Sequence, residues 1–348
     1  MPGADKKRVF LLSALIVSLF ACLLVFRTDQ NQQIVSLEGQ TMGTRYRLLF
    51  HDASFESDND RDTLLEAVDA RLDYLDTVVF STYAYDSQLS RFNREVGAPV
   101  QVASELITVL FAAGEVYRLS EGAFDVTIKP VIDLWGFGFD IPEQIIPDPA
   151  QLEVALSKKG MQSIIINTSH STIRKGFDLS VDLSAIAKGF AVDDITGLLE
   201  SLGFENFLVE IGGEVVVSGL RPDGDPWQLG IERPEPGDPA LMQRINYTGN
   251  KIAVAASGDY RNFFLHEGQR YSHIIDPRTG WPVSHELVSV TVLSESAMLA
   301  DAWATALMVL GPEEGVKLAN ELQLAAYFVL GNGTGFQSRH SDAFNRYF

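Results

Sequence analysis

Val181-Asp182-Leu183-Ser184-Ala185-Ile186-Ala187-Lys188-Gly189 reads as a strand running into a helix, and this junction decides the class of fold. Beyond Ser184 the residues Ile186, Phe190, Ile195, Leu198 and Leu202 form an apolar stripe that Gly203 ends. The same alternation of strand and helix extends outward in both directions. Leu64, Val68, Leu72, Leu75 and Val79 recur at helical spacing, as do Leu106, Val109, Leu110, Ala113, Val116 and Tyr117 behind a Ser104 cap. Asp148-Pro149 opens another short helix that ends near Gly160, and a last helix is expected over residues 295–310, stopped by Gly311-Pro312. Strands are expected at residues 46–50, 163–167, 207–217, 227–232, 251–256, 287–293 and 324–330, where β-branched residues lie between Gly, Pro or Asp. From Ile34 onward no repeat or low-complexity linker interrupts the pattern, so the sequence predicts one mixed catalytic domain rather than a string of modules.

The chain has 348 residues, enough to bury a large core, and 27 Lys+Arg against 46 Asp+Glu leave a net charge of −19. No basic face gathers, so nucleic acid is excluded as a partner. The single cysteine, Cys22, excludes an intramolecular disulfide and a Cys-based zinc site. Lys6, Lys7 and Arg8 precede eighteen uncharged residues, Val9 to Phe26, and Arg27 closes the run. A basic flank before a bilayer-length apolar segment predicts a membrane anchor over residues 1–27, followed by a tether over 28–37 and a catalytic domain over 38–348. Leu19-Phe20-Ala21-Cys22 imitates a lipoprotein box, but Phe20 is bulky and the apolar run continues past it. Span length favours an uncleaved anchor over a lipid on Cys22.

Several common signatures are absent: there is no phosphate loop ending in Gly-Lys-Ser/Thr, no Gly-x-Gly-x-x-Gly after a strand, no His-Glu-x-x-His and no Gly-x-Ser-x-Gly. Three regions still carry chemistry. Asp182 lies just outside a helix start and Lys188 in its first turn, where a ligand phosphate would meet free N–H groups and an ammonium; a plain cap and a solvated lysine fit the same residues. Asp301 and Thr305, spaced i, i+4 in an Ala-rich apolar helix, put a carboxylate and a hydroxyl on one face. An acid there is costly unless paired or bound to a cation, and oxygen ligands suit Mg²⁺. The third region joins 121–125, 134–138 and 272–280, whose aromatic rings and glycines could frame a flat heterocycle or simply fill core. His273 within it could accept a proton or be structural.

Thr41-Met42-Gly43-Thr44-x-Tyr46, Ser81-Thr82-Tyr83 with Leu89 to Asn93, Gly122-Ala123-Phe124-Asp125, Val181 to Gly189, Ile211-Gly212-Gly213, Ala256 to Arg261, Ser272 to Gly280 and Ala300 to Thr305 together resemble the bacterial ApbE family. Its members are FAD:protein FMN transferases, formerly labelled thiamine-biosynthesis lipoproteins. The resemblance runs in the family's order from about residue 38 to 331. It implies an α+β, T-fold-like domain that takes FAD as substrate. Carried over position by position, it assigns flavin-nucleotide contacts to Met42, Tyr83, Ala123, Phe124, Asp125, Asp182, Lys188, His273 and Ile275. It assigns Mg²⁺ to Asp301, Thr305 and the carbonyl of Ala185. The departure is the untidy lipobox, which bears on lipidation and leaves the catalytic segments untouched.

The resemblance further implies a phosphoryl transfer in which a client threonine or serine hydroxyl attacks the FMN phosphorus and AMP leaves, with Asp301 catalytic through the metal. His273 is the expected general base, with Asp182 or a metal-adjacent group as rivals. Expected clients are membrane-associated flavoprotein subunits of redox complexes, and the expected location is the periplasmic side of the inner membrane. Two other readings use the same residues: a pyrophosphatase that splits FAD into FMN and AMP, and a flavin-binding carrier without catalysis.

Overall fold

The computed structural model describes residues 34–52, 57–138, 145–235, 240–260, 262–331, 333 and 335–348; the expected anchor, Cys22 and the first part of the tether lie outside them. In chain order the strands are β1 (Val35–Thr41), β2 (Thr44–Phe50), β3 (Val100–Gln101), β4 (Ile164–Asn167), β5 (Thr172–Lys175), β6 (Phe207–Ile211), β7 (Glu214–Ser218) and β8 (Leu229–Glu232). They continue as β9 (Leu241–Ile245), β10 (Ile252–Gly258), β11 (Phe263–His266), β12 (Gln269–Ser272), β13 (Leu287–Ser294), β14 (Ala325–Gly331) and β15 (Phe336–His340). The helices are α1 (Asp58–Asp73), α2 (Gln88–Arg94), α3 (Ser104–Leu119), α4 (Lys129–Leu134), α5 (Pro149–Ser157), α6 (Ala187–Ser201) and α7 (Ala297–Glu321). No described helix is long and apolar enough to cross a membrane.

Eight strands form one sheet in the order β1-β2-β6-β7-β10-β13-β14-β15, with every neighbouring pair antiparallel. The period-2 alternation of side chains divides two cores between its faces. Phe207, Val209, Ile211 and Val216 point to the face covered by α6 and α7, and Val217 points to the other, where it meets Trp227, Ile245, Tyr327 and Phe344. Helices segregated beside an antiparallel sheet make this a mixed α/β fold of the α+β kind. The expected stripe from Leu64 to Val79 is buried throughout, although α1 passes into a π-helical turn, Tyr74–Phe80, before its last residues.

Several boundaries differ from the sequence expectation, and the local backbone accounts for the largest differences. Residues 207–217 are two strands, because Gly212 and Gly213 take φ of 64° and 104° and make a two-residue turn that only residues tolerating positive φ can form. α6 begins at Ala187 rather than Ser184: the Asp182 carboxylate accepts the Ser184 N–H at 2.8 Å, a local turn that competes with helix, and Ile186 stays non-helical at φ −153°. Ser104 is the first helical residue of α3, and Ala103 occupies the cap position. Within α7 the helix from Ala297 stops at Gly311 as expected, where φ 80° and ψ −177° are non-helical, and a second helical stretch beyond it runs to Glu321. Pro312 has no N–H for the carbonyl of Met308, and His285 Nε2 fills that role at 2.9 Å. β1 also takes in Val35 to Leu37, which the sequence placed in the tether.

Candidate active site

Two close contacts lock α6 against the start of α7. A Cβ at Gly189 would lie 2.3 Å from the Ala297 carbonyl oxygen, so only glycine permits this approach. One turn further on, Asp193 accepts the N–H groups of Ala297 at 2.8 Å and Met298 at 3.0 Å, and the Ser296 hydroxyl at 2.7 Å. It thereby caps a neighbouring helix and fixes its register. The result sets Asp301, one turn into α7, opposite Lys188. Asp301 is 5 % exposed, and its Oδ2 accepts the Gly189 N–H at 3.2 Å and stands 3.9 Å from Lys188 Nζ. Across from them Glu214, 4 % exposed, accepts from Lys188 Nζ at 2.8 Å.

The electrostatics of this trio follow from burial. Desolvation, and next the nearby Asp301 charge, push the Glu214 carboxyl up to about 7. Desolvation likewise raises Asp301, against the pull of Lys188 and the Gly189 N–H. For Lys188, desolvation works against the charge, but the Asp301 and Glu214 carboxylates outweigh it and hold the ammonium above its ordinary value. Two carboxylates thus face one cation, and among the described residues Glu214 Oε2 has no hydrogen-bond partner.

The trio forms one wall of a cavity of ≈ 1440 Å³, larger than the few hundred to a thousand Å³ of an ordinary small-molecule site. Met42, Ala123, Phe124, Asp125, Asp182, Ala185, Lys188, His273, Ile275, Asp301 and Thr305 all line it. Met42 sits at φ 49° in the β1–β2 turn, with its N–H donated to Asp76 at 2.8 Å. Asp125 is raised by burial while Thr127 donates to it through both N–H and hydroxyl, at 2.9 and 2.6 Å. The Asp182 N–H donates to the Val126 carbonyl at 2.8 Å, which joins the aromatic segment to the α6 approach. His273 Nδ1 lies 2.9 Å from the Asn262 carbonyl, which can only accept, so Nδ1 carries the proton and Nε2 the lone pair. Burial lowers this imidazole below its usual value and keeps it neutral.

Tyr83 is the sequence-predicted residue that does not line the cavity. It is 59 % exposed, in a bend where the Ser81 hydroxyl accepts the N–H groups of Tyr83 and Ala84. Glu214 was missed by the sequence reading. Its signal was an acid directly after Gly212-Gly213, hidden because the whole stretch reads as one strand.

Ala185, Asp301 and Thr305 all line the cavity, and the carbonyl, carboxylate and hydroxyl they carry are hard oxygen donors. Among the described residues no three His, Cys, Asp or Glu side chains converge as a metal cluster. One carboxylate with neutral oxygens nevertheless fits Mg²⁺, which takes few protein ligands and fills its shell with phosphate and water. The uncompensated negative charge beside Asp301 favours a cation at that point.

The ApbE family model matches residues 42–328. The FAD:protein FMN transferase of Vibrio cholerae is 40% identical over 331 residues, covering 94% of this chain and 97% of that protein. That of Haemophilus influenzae is 37% identical over 345 residues, covering 96% and 95%. Among solved structures, the flavin transferase ApbE from Vibrio cholerae superposes with a TM-score of 0.81 at 38% identity, over 91% of this chain and 100% of that one. The apo flavinyl transferase ApbE of Pseudomonas stutzeri gives 0.83 at 35% identity, over 92% and 99%.

Proposed function

The chain belongs to the ApbE family, and we propose that the transfer of FMN from FAD to protein, which this membership establishes, is a Mg²⁺-dependent phosphoryl transfer onto a threonine or serine hydroxyl. The carrying observation is that Asp301, Thr305, Ala185 and Lys188 line the same cavity as His273, whose Nδ1 is engaged by the Asn262 carbonyl so that Nε2 keeps the lone pair. Mg²⁺ held by Asp301, Thr305 and the Ala185 carbonyl would neutralise pyrophosphate charge as it develops on the leaving group. Lys188 supplies a further fixed positive charge, and the aromatic and glycine-rich segments around Phe124 and Ile275 hold the flavin end. The client oxygen forms a bond to the FMN phosphorus as the bond from that phosphorus to the bridging oxygen breaks. AMP departs with that oxygen, and the hydroxyl proton passes to His273 Nε2.

Residues 1–27 would anchor the protein in the inner membrane, uncleaved or through lipid on Cys22, with the catalytic domain on the periplasmic side. Its clients would be membrane-associated flavoprotein subunits of redox complexes. Mass spectrometry of the mature N-terminus separates an intact Met1 from a lipidated Cys22. Incubation with FAD, Mg²⁺ and a client bearing an acceptor threonine tests the chemistry: covalent FMN on the client with AMP supports transfer. Free FMN with AMP, and an unmodified client, would make the protein a pyrophosphatase, and no AMP at all would leave a carrier.

A further inference from the structure

The pair Lys188–Glu214 is built by the backbone around it. Glu214 is the first residue after the two-glycine turn, directly opposite Ile211 in the β6–β7 register. Strand alternation puts it on the same side as Val216, toward α6. The turn also makes room: a Cβ on Gly212 would stand 2.9 Å from the Thr44 methyl and 3.2 Å from Lys188 Cδ. Lys188 has two carboxylates within reach but bonds only one, at 2.8 Å from Glu214 against 3.9 Å from Asp301. Glu214 spends one oxygen on this bond, and among the described residues the other has no hydrogen-bond partner, although it is buried. A buried acid directed at one lysine, whose own backbone N–H and Lys188 bond are outweighed by desolvation and the Asp301 charge, is expensive for the fold alone.

We propose that Glu214 is a positioning residue that holds the Lys188 ammonium off Asp301, so that the Asp301 carboxylate stays open to the cation. This rests on the Mg²⁺ reading given above. An ammonium on a four-carbon stem needs only a short swing to close the 3.9 Å gap to Asp301. Once closed, that ion pair must be broken before a metal can bind. Glu214 competes for the same ammonium and keeps it at the edge of the cavity, where it faces the ligand rather than the metal's carboxylate.

The test is FAD binding, followed by quenching of flavin fluorescence in the absence of client, for the parent, Glu214→Gln, Lys188→Met and the double variant. Each is titrated with Mg²⁺, and FAD affinity is measured separately in EDTA. Glutamine is isosteric and removes a charge that burial disfavours, so melting should be no lower than in the parent. Glu214→Gln is expected to raise the half-saturating Mg²⁺ concentration about tenfold while FAD affinity in EDTA holds or tightens. In the Lys188→Met background, where no ammonium can swing, the Glu214→Gln change should lose that effect. An equal shift in both backgrounds, or no shift in either, would overturn the assignment. If FAD binding by the parent is indifferent to Mg²⁺, the metal reading itself falls, and this inference with it.

Discussion

Arg71 and Lys188 each stand between two carboxylates, and the two arrangements behave in opposite ways. Arg71 of α1 donates to Asp194 of α6 through two nitrogens, each at 2.7 Å, and to Glu105 of α3 at 2.8 Å. Lys188 bonds Glu214 at 2.8 Å and leaves Asp301 at 3.9 Å. At the first, burial resists ionisation of Glu105, but its own backbone N–H and the Arg71 bond outweigh it and hold the acid below its usual value. At the second, burial raises both acids. A planar guanidinium satisfies two partners at once, whereas an ammonium among desolvated acids leaves one wanting. Equal charge counts therefore make a staple between three helices in one place and a site poised for another cation in the other.

The sharpest way to break this contrast is Asp301→Ala. Several kcal/mol of charge stabilisation should vanish, lowering AMP release by about 10³-fold, while the melting temperature holds or rises because a desolvated acid has gone. A variant that unfolds instead would make Asp301 structural and erase the distinction. Next in size, His273→Asn should cost about 10²-fold in transfer. In the parent, the rate should climb with pH through a value below that of ordinary imidazole and then flatten, because the lowered group is already neutral above it. An unchanged pH profile in the variant would remove His273 as the base.

The staple should fail in the other currency. Arg71→Ala is expected to cost about 1.5–3 kcal/mol in urea unfolding, reduced within that range by its partial exposure, and to leave FAD affinity unaltered. The smallest effect concerns pH and stability. Glu105, lowered in the folded state, contributes stability that is present above its unfolded value and lost as pH falls through the folded one. Glu214, raised to about 7, has the reverse sign: between its unfolded value and about 7 the folded state holds more protons, so stability falls as pH rises. In EDTA, the melting temperature at pH 6 minus that at pH 8 should be more positive for the parent than for Glu214→Gln by about 2 °C. Equal differences would place the raised acid elsewhere.

Much of this contrast was legible in the sequence. The i, i+4 spacing of Asp301 and Thr305 puts two oxygens on one face of α7 whatever the tertiary structure does, and the run from Val181 to Gly189 places Lys188 in a first helical turn. The stripe from Leu64 to Val79 needed only periodicity. Illegible features depend on partners distant in sequence or on local backbone turns. Nothing in residues 295–312 reveals that His285 will bond the carbonyl that Pro312 cannot serve. Glu214 was hidden by a chain reversal inside an apolar run, and the turn is visible only as two adjacent glycines. Tyr83 carried the motif expected of a flavin contact, yet the Ser81-centred bend leaves it outside the cavity wall.

The most direct test of the central claim is the intact mass of a client protein after incubation with FAD, read alongside the AMP released. The wall of Asp301, Lys188 and Thr305 predicts that the client gains FMN less one water, with one AMP per modified client, and that both products disappear in EDTA. A client of unaltered mass beside accumulating FMN and AMP, or equal flavinylation with and without EDTA, would contradict it.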